Sequence, residues 1–98
     1  MRRDKIEHFI RAIAVRKSAL FAKYLIKSLA IFGSYARNEQ DDESDLDVLV
    51  DFSEPVGIEF VDLANELEKI LQVRVDLVSR GGIRPQYYEQ IKDELQYI

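Results

Sequence analysis

The chain has 98 residues, which is enough for one folding domain and too few for two. Its composition, with 47% hydrophobic and 33% charged residues and only two prolines, is that of a globular protein and excludes a disordered or collagen-like chain. There is no cysteine, so disulfides, thiolate metal sites and thiol nucleophiles are excluded. We therefore expect a single domain over residues 1–98.

The charge is unevenly distributed along the chain. Residues 1–37 carry nine Lys or Arg and two acids (+7), whereas residues 38–98 carry five Lys or Arg and sixteen acids (−11). The total of −4 argues against a general nucleic-acid binder, so no direct nucleic-acid binding is expected. No apolar run approaches the roughly 18 residues of a membrane span, and the charged N-terminus does not resemble a secretory signal. We expect a cytoplasmic protein without membrane association.

Hydrophobic periodicity predicts the elements of the first half of the chain. A spacing of three to four predicts one amphipathic helix over residues 4–25. The apolar run 29–32 predicts a buried strand, and residues 35–38 can start a short helix with Ser34 as its N-cap. The alternation in DLDVLVDF predicts a strand over residues 45–52.

The second half continues the alternation of helices and strands. Residues 60–71 trace a second amphipathic helix, and VRVDLVS, residues 73–79, predicts a third strand. Pro85 opens a last short helix after the Gly81-Gly82 break. This order predicts an α/β fold, with helices packed on a small sheet.

Three aspartates on the last two predicted strands point to metal chemistry. Asp45 and Asp47 are two residues apart, so their side chains share one strand face at a spacing of roughly 6.6 Å. Asp76, on the corresponding face of a neighbouring strand, would complete a trio. Three close carboxylates raise one another's pKa unless a cation neutralises them, and an all-oxygen site favours Mg²⁺ or Mn²⁺. Two such ions can clamp the attacking and leaving oxygens of a phosphoryl displacement.

A glycine-serine turn follows the first predicted strand. Gly33 lets the backbone approach a ligand closely, and Ser34 offers a hydroxyl at the start of a helix whose free N–H groups attract phosphate. An anion cradle beside a metal clamp implies a nucleoside triphosphate.

Each feature also has a purely structural explanation. Gly33-Ser34 can be an ordinary turn, and Asp45 and Asp47 can lie on a solvated strand edge. Asp76 is expected in a central apolar strand, where an unpaired charge is costly. Its structural explanation is a salt bridge to one of three arginines: Arg37, Arg74 or Arg80.

The ordered combination GSYARNEQDDESDLDVLVDF followed by VDLV resembles the nucleotidyltransferase superfamily of DNA polymerase β. Specifically, the chain is similar to the minimal nucleotidyltransferase (MNT) proteins, the antitoxins paired with HEPN-domain toxins. The resemblance extends from the basic first helix to the C-terminal tail. It implies a small mixed β-sheet with helices packed on it, the palm-like fold of that superfamily.

The resemblance also implies an activity and a partner. The activity is transfer of AMP from ATP to a tyrosine hydroxyl of a cognate HEPN ribonuclease, with release of pyrophosphate, in a hetero-oligomer with the toxin. Asp45 and Asp47 would bridge two Mg²⁺ ions, and Asp76 would hold the catalytic ion and help take the acceptor's proton. Gly33 and Ser34 would hold the β and γ phosphates. Arg37 would contact phosphate or pair with an aspartate.

Two other functions remain open on the sequence. One is an antitoxin that neutralises the toxin by binding alone and keeps the acids for a structural cation. The other is a small-molecule nucleotidyltransferase of the aminoglycoside-modifying type, which the missing acceptor-binding domain disfavours. The basic first helix and three tyrosines of the tail, Tyr87, Tyr88 and Tyr97, are candidate contact surface, although core packing and solvated charge explain such residues more often.

Overall fold

The computed structural model describes residues 3–98, with side chains from Lys5 onward. The first helical region is two helices, α1 (Arg3–Ala14) and α2 (Lys17–Tyr24), so the prediction of one helix over 4–25 is wrong at its middle. The amide of Arg16 donates to the carbonyl of Ile13 at 2.9 Å, which tightens and ends α1, and Val15 is left 77% exposed. The chain becomes helical again at Lys17, and α2 buries its own side chains, Leu20 and Tyr24.

Four strands form one mixed sheet in the order β3-β2-β1-β4. They are β1 (Ile26–Phe32), β2 (Leu46–Phe52), β3 (Val75–Ser79) and β4 (Gln96–Tyr97). β1 is antiparallel to both β2 and β4, whereas β2 and β3 are parallel. The small mixed sheet with packed helices is confirmed, and β4 is an addition that the sequence patterns did not predict.

Helices cover the two faces of the sheet unequally. α1, α2 and α3 (Glu59–Leu71) pack on one face and enclose the larger hydrophobic core. α4 (Pro85–Ile91) packs on the other face over a smaller core and continues into a 3₁₀ turn, Lys92–Glu94. α3 connects β2 to β3, the crossover that a parallel pair requires. The smaller core leaves part of its face open, and the predicted site lies there.

The alternation on β2 is as predicted. Leu46, Val48 and Val50 are fully buried in the larger core, and Leu49 belongs to the smaller core on the opposite face. Asp47 shares the face of Leu49 and is half-buried.

β3 has the predicted two faces but a different position in the sheet. Val75 and Leu77 face the larger core, and Val78 the smaller one. Because β3 is an edge strand, Asp76 is exposed. The expectation that Asp76 lies within a central apolar strand is therefore wrong. Solvent stabilises the charge of the exposed carboxylate.

The segment after β1 is a turn rather than the predicted short helix over residues 35–38. The amide of Arg37 donates to the carbonyl of Gly33 at 3.1 Å, and the amide of Glu39 donates to the carbonyl of Ser34 at 2.8 Å. Asn38, at φ 59°, then takes the left-handed conformation that ends helical winding. Ser34 therefore opens one hydrogen-bonded turn and caps no helix.

Across residues 3–98, every helix is too short or too polar to cross a lipid bilayer.

Candidate active site

Three residues form a row across the sheet. Asp47 pairs in register with Asp76 on β3 and with Phe32 on β1. Because register partners on neighbouring strands point to the same face, the two carboxylates lie side by side at the start of the parallel pair. The next row, Ala30, Leu49 and Val78, is apolar and contributes to the core under α4. Asp47 and Asp76 therefore lie beside the edge of that core, where Asp47 is half-buried and Asp76 is exposed to solvent.

The carboxyl of Asp47 is strongly perturbed. Its pKa rises from an ordinary 3.8 to about 6, first because of burial, then because of the charge of Asp76 and a hydrogen bond with it, and last because of the charge of Asp45. Arg37 opposes this rise. A cation bound nearby would favour the ionised form of Asp47 and so oppose this rise in its pKa.

Asp45 lies on the same face, but its carboxylate is engaged in an ion pair with Arg74. It directly precedes β2, and its Oδ1 lies 3.0 Å from Nε of Arg74. Arg74 also donates to the backbone carbonyl of Glu43 at 3.1 Å, which holds the guanidinium against the loop that precedes β2. The structure thus brings Asp47 and Asp76 together and holds Asp45 beside them in an exposed ion pair.

Within residues 5–98, no three acidic or histidine side chains already converge as a metal-binding group. The donor chemistry nevertheless suits a hard divalent cation, because Asp47 and Asp76 offer adjacent carboxylate oxygens and the ion pair of Asp45 is half exposed. An exposed pair of this kind contributes about 0–1 kcal/mol, so it would oppose ligation of a cation by Asp45 only weakly.

None of the three arginines forms the alternative salt bridge to Asp76 in the described part of the chain. Arg37 pairs with acids near the β1 turn, and Arg74 pairs with Asp45. The guanidinium of Arg80 stacks over the ring of Tyr88 at 3.8 Å.

The turn after β1 touches the carboxylate pair directly. Gly33 is buried at φ +78°, and a Cβ placed on it would lie 2.0 Å from Oδ2 of Asp47. Only glycine satisfies both the left-handed backbone and this contact. Ser34 follows it and is half-buried, so the predicted phosphate cradle and the predicted metal ligands are immediate neighbours.

Glu94 is a residue of this site that the sequence analysis missed. Its Oε2 accepts the amide hydrogen of Gly33 at 2.5 Å, and both of its oxygens lie 3.0–3.1 Å from Nη1 of Arg37. Arg37 also donates from Nε to Glu39 at 3.0 Å. Glu94 is 61 positions from Gly33 in sequence, so no local motif could indicate this contact.

Tyr87 borders the site from α4. Its ring meets the ring of Phe32 edge to face, with centroids 6.3 Å apart. Burial raises the pKa of Tyr87, and the negative charges of Asp47 and Asp76 raise it further. Of the tail tyrosines proposed as contact surface, Tyr87 lies beside the carboxylates and is 41% exposed.

Two surface cavities lie away from the carboxylate pair. One, of about 600 Å³, includes Tyr35, Asp41 and Arg74 in its wall, and the other, of about 860 Å³, opens between α2 and α3. Neither is lined by Asp47 or Asp76.

The nucleotidyltransferase domain family matches residues 12–98. Two curated relatives agree with this match. A Methanocaldococcus jannaschii protein assigned as a protein adenylyltransferase is 44% identical over 84 residues, covering 84% of this chain and 86% of the relative. The protein adenylyltransferase MntA of Thermococcus cleftensis is 32% identical over 94 residues, covering 95% of each chain.

Solved structures agree on the fold. A structure assigned as a minimal nucleotidyltransferase has a TM-score of 0.74 and 36% identity, covering 90% of this chain and 93% of that one. A complex of a tri-AMPylated Shewanella oneidensis HEPN toxin with an MNT antitoxin has a TM-score of 0.63 at 20% identity, covering 99% of this chain and 71% of that one. The chain belongs to the nucleotidyltransferase domain family and is a nucleotidyltransferase, as the resemblance of its motifs implied.

Proposed function

We propose that this chain is an antitoxin that transfers AMP from ATP to a tyrosine hydroxyl of a HEPN-domain ribonuclease toxin. The observation that carries the proposal is the row formed by Asp47 and Asp76 directly beside the Gly33 turn. Relatives named as protein adenylyltransferases and the AMPylated HEPN toxin of a structural neighbour support the reaction and the acceptor class. We place the reaction in the cytoplasm, where ATP and the RNA targets of a ribonuclease are found.

Asp45, Asp47 and Asp76 are the proposed metal ligands. Asp47 and Asp76 already lie together, and Asp45 joins them by leaving its exposed ion pair with Arg74. Two Mg²⁺ ions at this site would neutralise phosphate charge and activate the attacking oxygen. Because burial and neighbouring acids raise the pKa of Asp47, ionisation of the Asp47 carboxyl and cation binding would favour each other.

The triphosphate is proposed to lie against the β1 turn. The backbone of Gly33 and the hydroxyl of Ser34 would bind the β and γ phosphates, and the Arg37 guanidinium lies within reach of the same turn. Binding there orients the α-phosphate toward the carboxylates of Asp47 and Asp76, which is the positioning that phosphoryl transfer requires.

The acceptor is proposed to be carried in by the partner. A phenol with a pKa near 10 needs help to ionise at neutral pH, and Asp76, exposed at the sheet edge, is placed to accept its proton. The oxygen then attacks the α-phosphorus, the bond to the pyrophosphate oxygen breaks, and pyrophosphate leaves. An open site beside an edge strand suits an acceptor on a protein surface, since a folded toxin cannot enter a closed cavity.

The acceptor class is tested by offering competing acceptors. The chain is incubated with ATP labelled in the adenosine, Mg²⁺, and either a purified HEPN-domain toxin or an aminoglycoside. We expect label on the toxin, lost when its acceptor tyrosine is changed to phenylalanine. Label on the aminoglycoside alone would instead assign a small-molecule enzyme.

A further inference from the structure

Glu94 places a carboxylate where the proposed function needs a phosphate. Its Oε2 accepts the amide hydrogen of Gly33 at 2.5 Å, and its two oxygens face Nη1 of Arg37 at 3.0 and 3.1 Å. A backbone amide and a guanidinium that converge on one anionic group are the same donors that bind phosphate oxygens. The anion-binding groups of the turn are therefore already engaged by the protein itself.

This contact is favourable enough to compete with a ligand. The Glu94 side chain is only 19% exposed, so water screens its hydrogen bond with the Gly33 amide weakly, whereas the side chain of Arg37 is 45% exposed. Hydrogen bonds between charged partners are shorter and stronger than neutral ones, and Glu94 makes one to an amide and another to Arg37. Because Gly33 has a single N–H, that group cannot serve Glu94 and a phosphate oxygen fully at the same time.

Glu94 is also placed to withdraw without unfolding the domain. It ends the 3₁₀ turn Lys92–Glu94, between α4 and the two-residue strand β4. A change of its side-chain torsions moves the carboxylate toward solvent while the backbone stays in place.

We propose that Glu94 is an internal substitute for the triphosphate, which ATP must displace from Gly33 and Arg37 before it binds productively. This inference rests on the proposed function only in taking the Gly33 turn as the phosphate site. Glu94 thereby sets the affinity for ATP, because only the fraction of molecules with the carboxylate withdrawn is competent to bind. It also keeps the donors of the turn paired between turnovers.

The test measures binding rather than turnover. Isothermal titration with Mg²⁺-ATP, and separately with Mg²⁺-pyrophosphate, compares the wild-type chain with Glu94→Gln and Glu94→Asp. Glutamine removes the charge, and aspartate keeps it but shortens the reach by one methylene. We expect both variants to bind ATP and pyrophosphate at least about threefold more tightly than wild type.

The control is Glu89→Gln, which removes an exposed acid from α4 that pairs with Lys92 at 2.7 Å. It should leave both affinities unchanged, and a thermal melt checks that each variant is folded. Unchanged or weaker binding by folded Glu94 variants would overturn the proposal and assign Glu94 to holding the turn in shape. A chain that binds ATP as expected here but leaves the toxin unlabelled would contradict the proposed acceptor instead.

Discussion

Gly33 and Asp47 are in such close contact that no side chain fits between them. A Cβ on Gly33 would lie 2.0 Å from Oδ2 and 2.9 Å from Cγ of Asp47, and the glycine φ is +78°. The turn that is proposed to bind phosphate thus determines the position of a carboxylate proposed to bind metal. The two halves of the site form one packed unit.

Gly33→Ala therefore acts on both halves. The methyl group must displace the Asp47 carboxylate, and the left-handed backbone adds strain, so we expect a loss of about 1–3 kcal/mol in the free energy of unfolding. We expect AMP transfer to fall by about 100-fold, because a shift of about 1 Å in a reacting group is enough for such a loss. Chemical denaturation and an initial-rate assay measure the two effects.

Gly57→Ala is the matched control for this change. A Cβ on Gly57 would meet only the end of the flexible Glu59 side chain at 4.0 Å, and the residue is exposed. Both its stability and its rate should stay close to wild type. Equal losses in the two variants would contradict the role of the Gly33–Asp47 contact.

The raised pKa of Asp47 predicts a pH dependence of stability. Between its ordinary value of 3.8 and about 6, the folded chain holds a proton at Asp47 that the unfolded chain has released. The stability that Asp47 contributes at low pH is therefore lost as the pH rises through this window. The measurement compares the free energies of unfolding of Asp47→Asn and wild type in the presence of a chelator. The value for Asp47→Asn minus the value for wild type should increase between about pH 4 and pH 6 and then level off.

Asp51→Asn controls for general effects of removing an acid from β2. Asp51 lies at the far end of the same strand, opposite Ser28 and away from the row formed by Asp47 and Asp76. Its difference from wild type should not rise across the same window. A flat Asp47→Asn difference would contradict the raised pKa of Asp47 in the folded chain.

Divalent cations should stabilise the folded chain through the same carboxylates. Because the proposed Mg²⁺ site is formed in the folded chain and not in the unfolded chain, the melting temperature should rise with Mg²⁺ concentration in wild type. Asp76→Asn should remove most of this rise, because it halves the adjacent carboxylate pair. Thermal melts in Mg²⁺ and in chelator measure the effect, and an unchanged response in Asp76→Asn would exclude Asp76 as a ligand.

The faces of the sheet were predictable from sequence because alternation is a local property. The side of β2 that carries Asp47 and the side of β3 that carries Asp76 were correct, and the motif resemblance gave the family. The strand order was not predictable, so Asp76 was expected in a central strand and lies on an edge strand.

Contacts between distant segments could not be predicted. β4 has two residues, too few to produce a periodic pattern, and it pairs with the middle of β1. The engagement of Gly33 by Glu94 depends on how the C-terminal segment returns to the sheet. The ion pair of Asp45 with Arg74 also depends on packing, since alternation indicates a face but not where a side chain finds its partner.

The most direct test of the account is AMP transfer to the purified HEPN toxin by wild type, Asp47→Asn and the control Asp51→Asn, followed by intact-mass analysis. The account predicts that wild type and Asp51→Asn add adenylyl groups, whereas Asp47→Asn still binds the toxin and transfers AMP at least about 100-fold more slowly. Full transfer by Asp47→Asn, or neutralisation of the toxin by all three chains without any adenylyl group added, would contradict it.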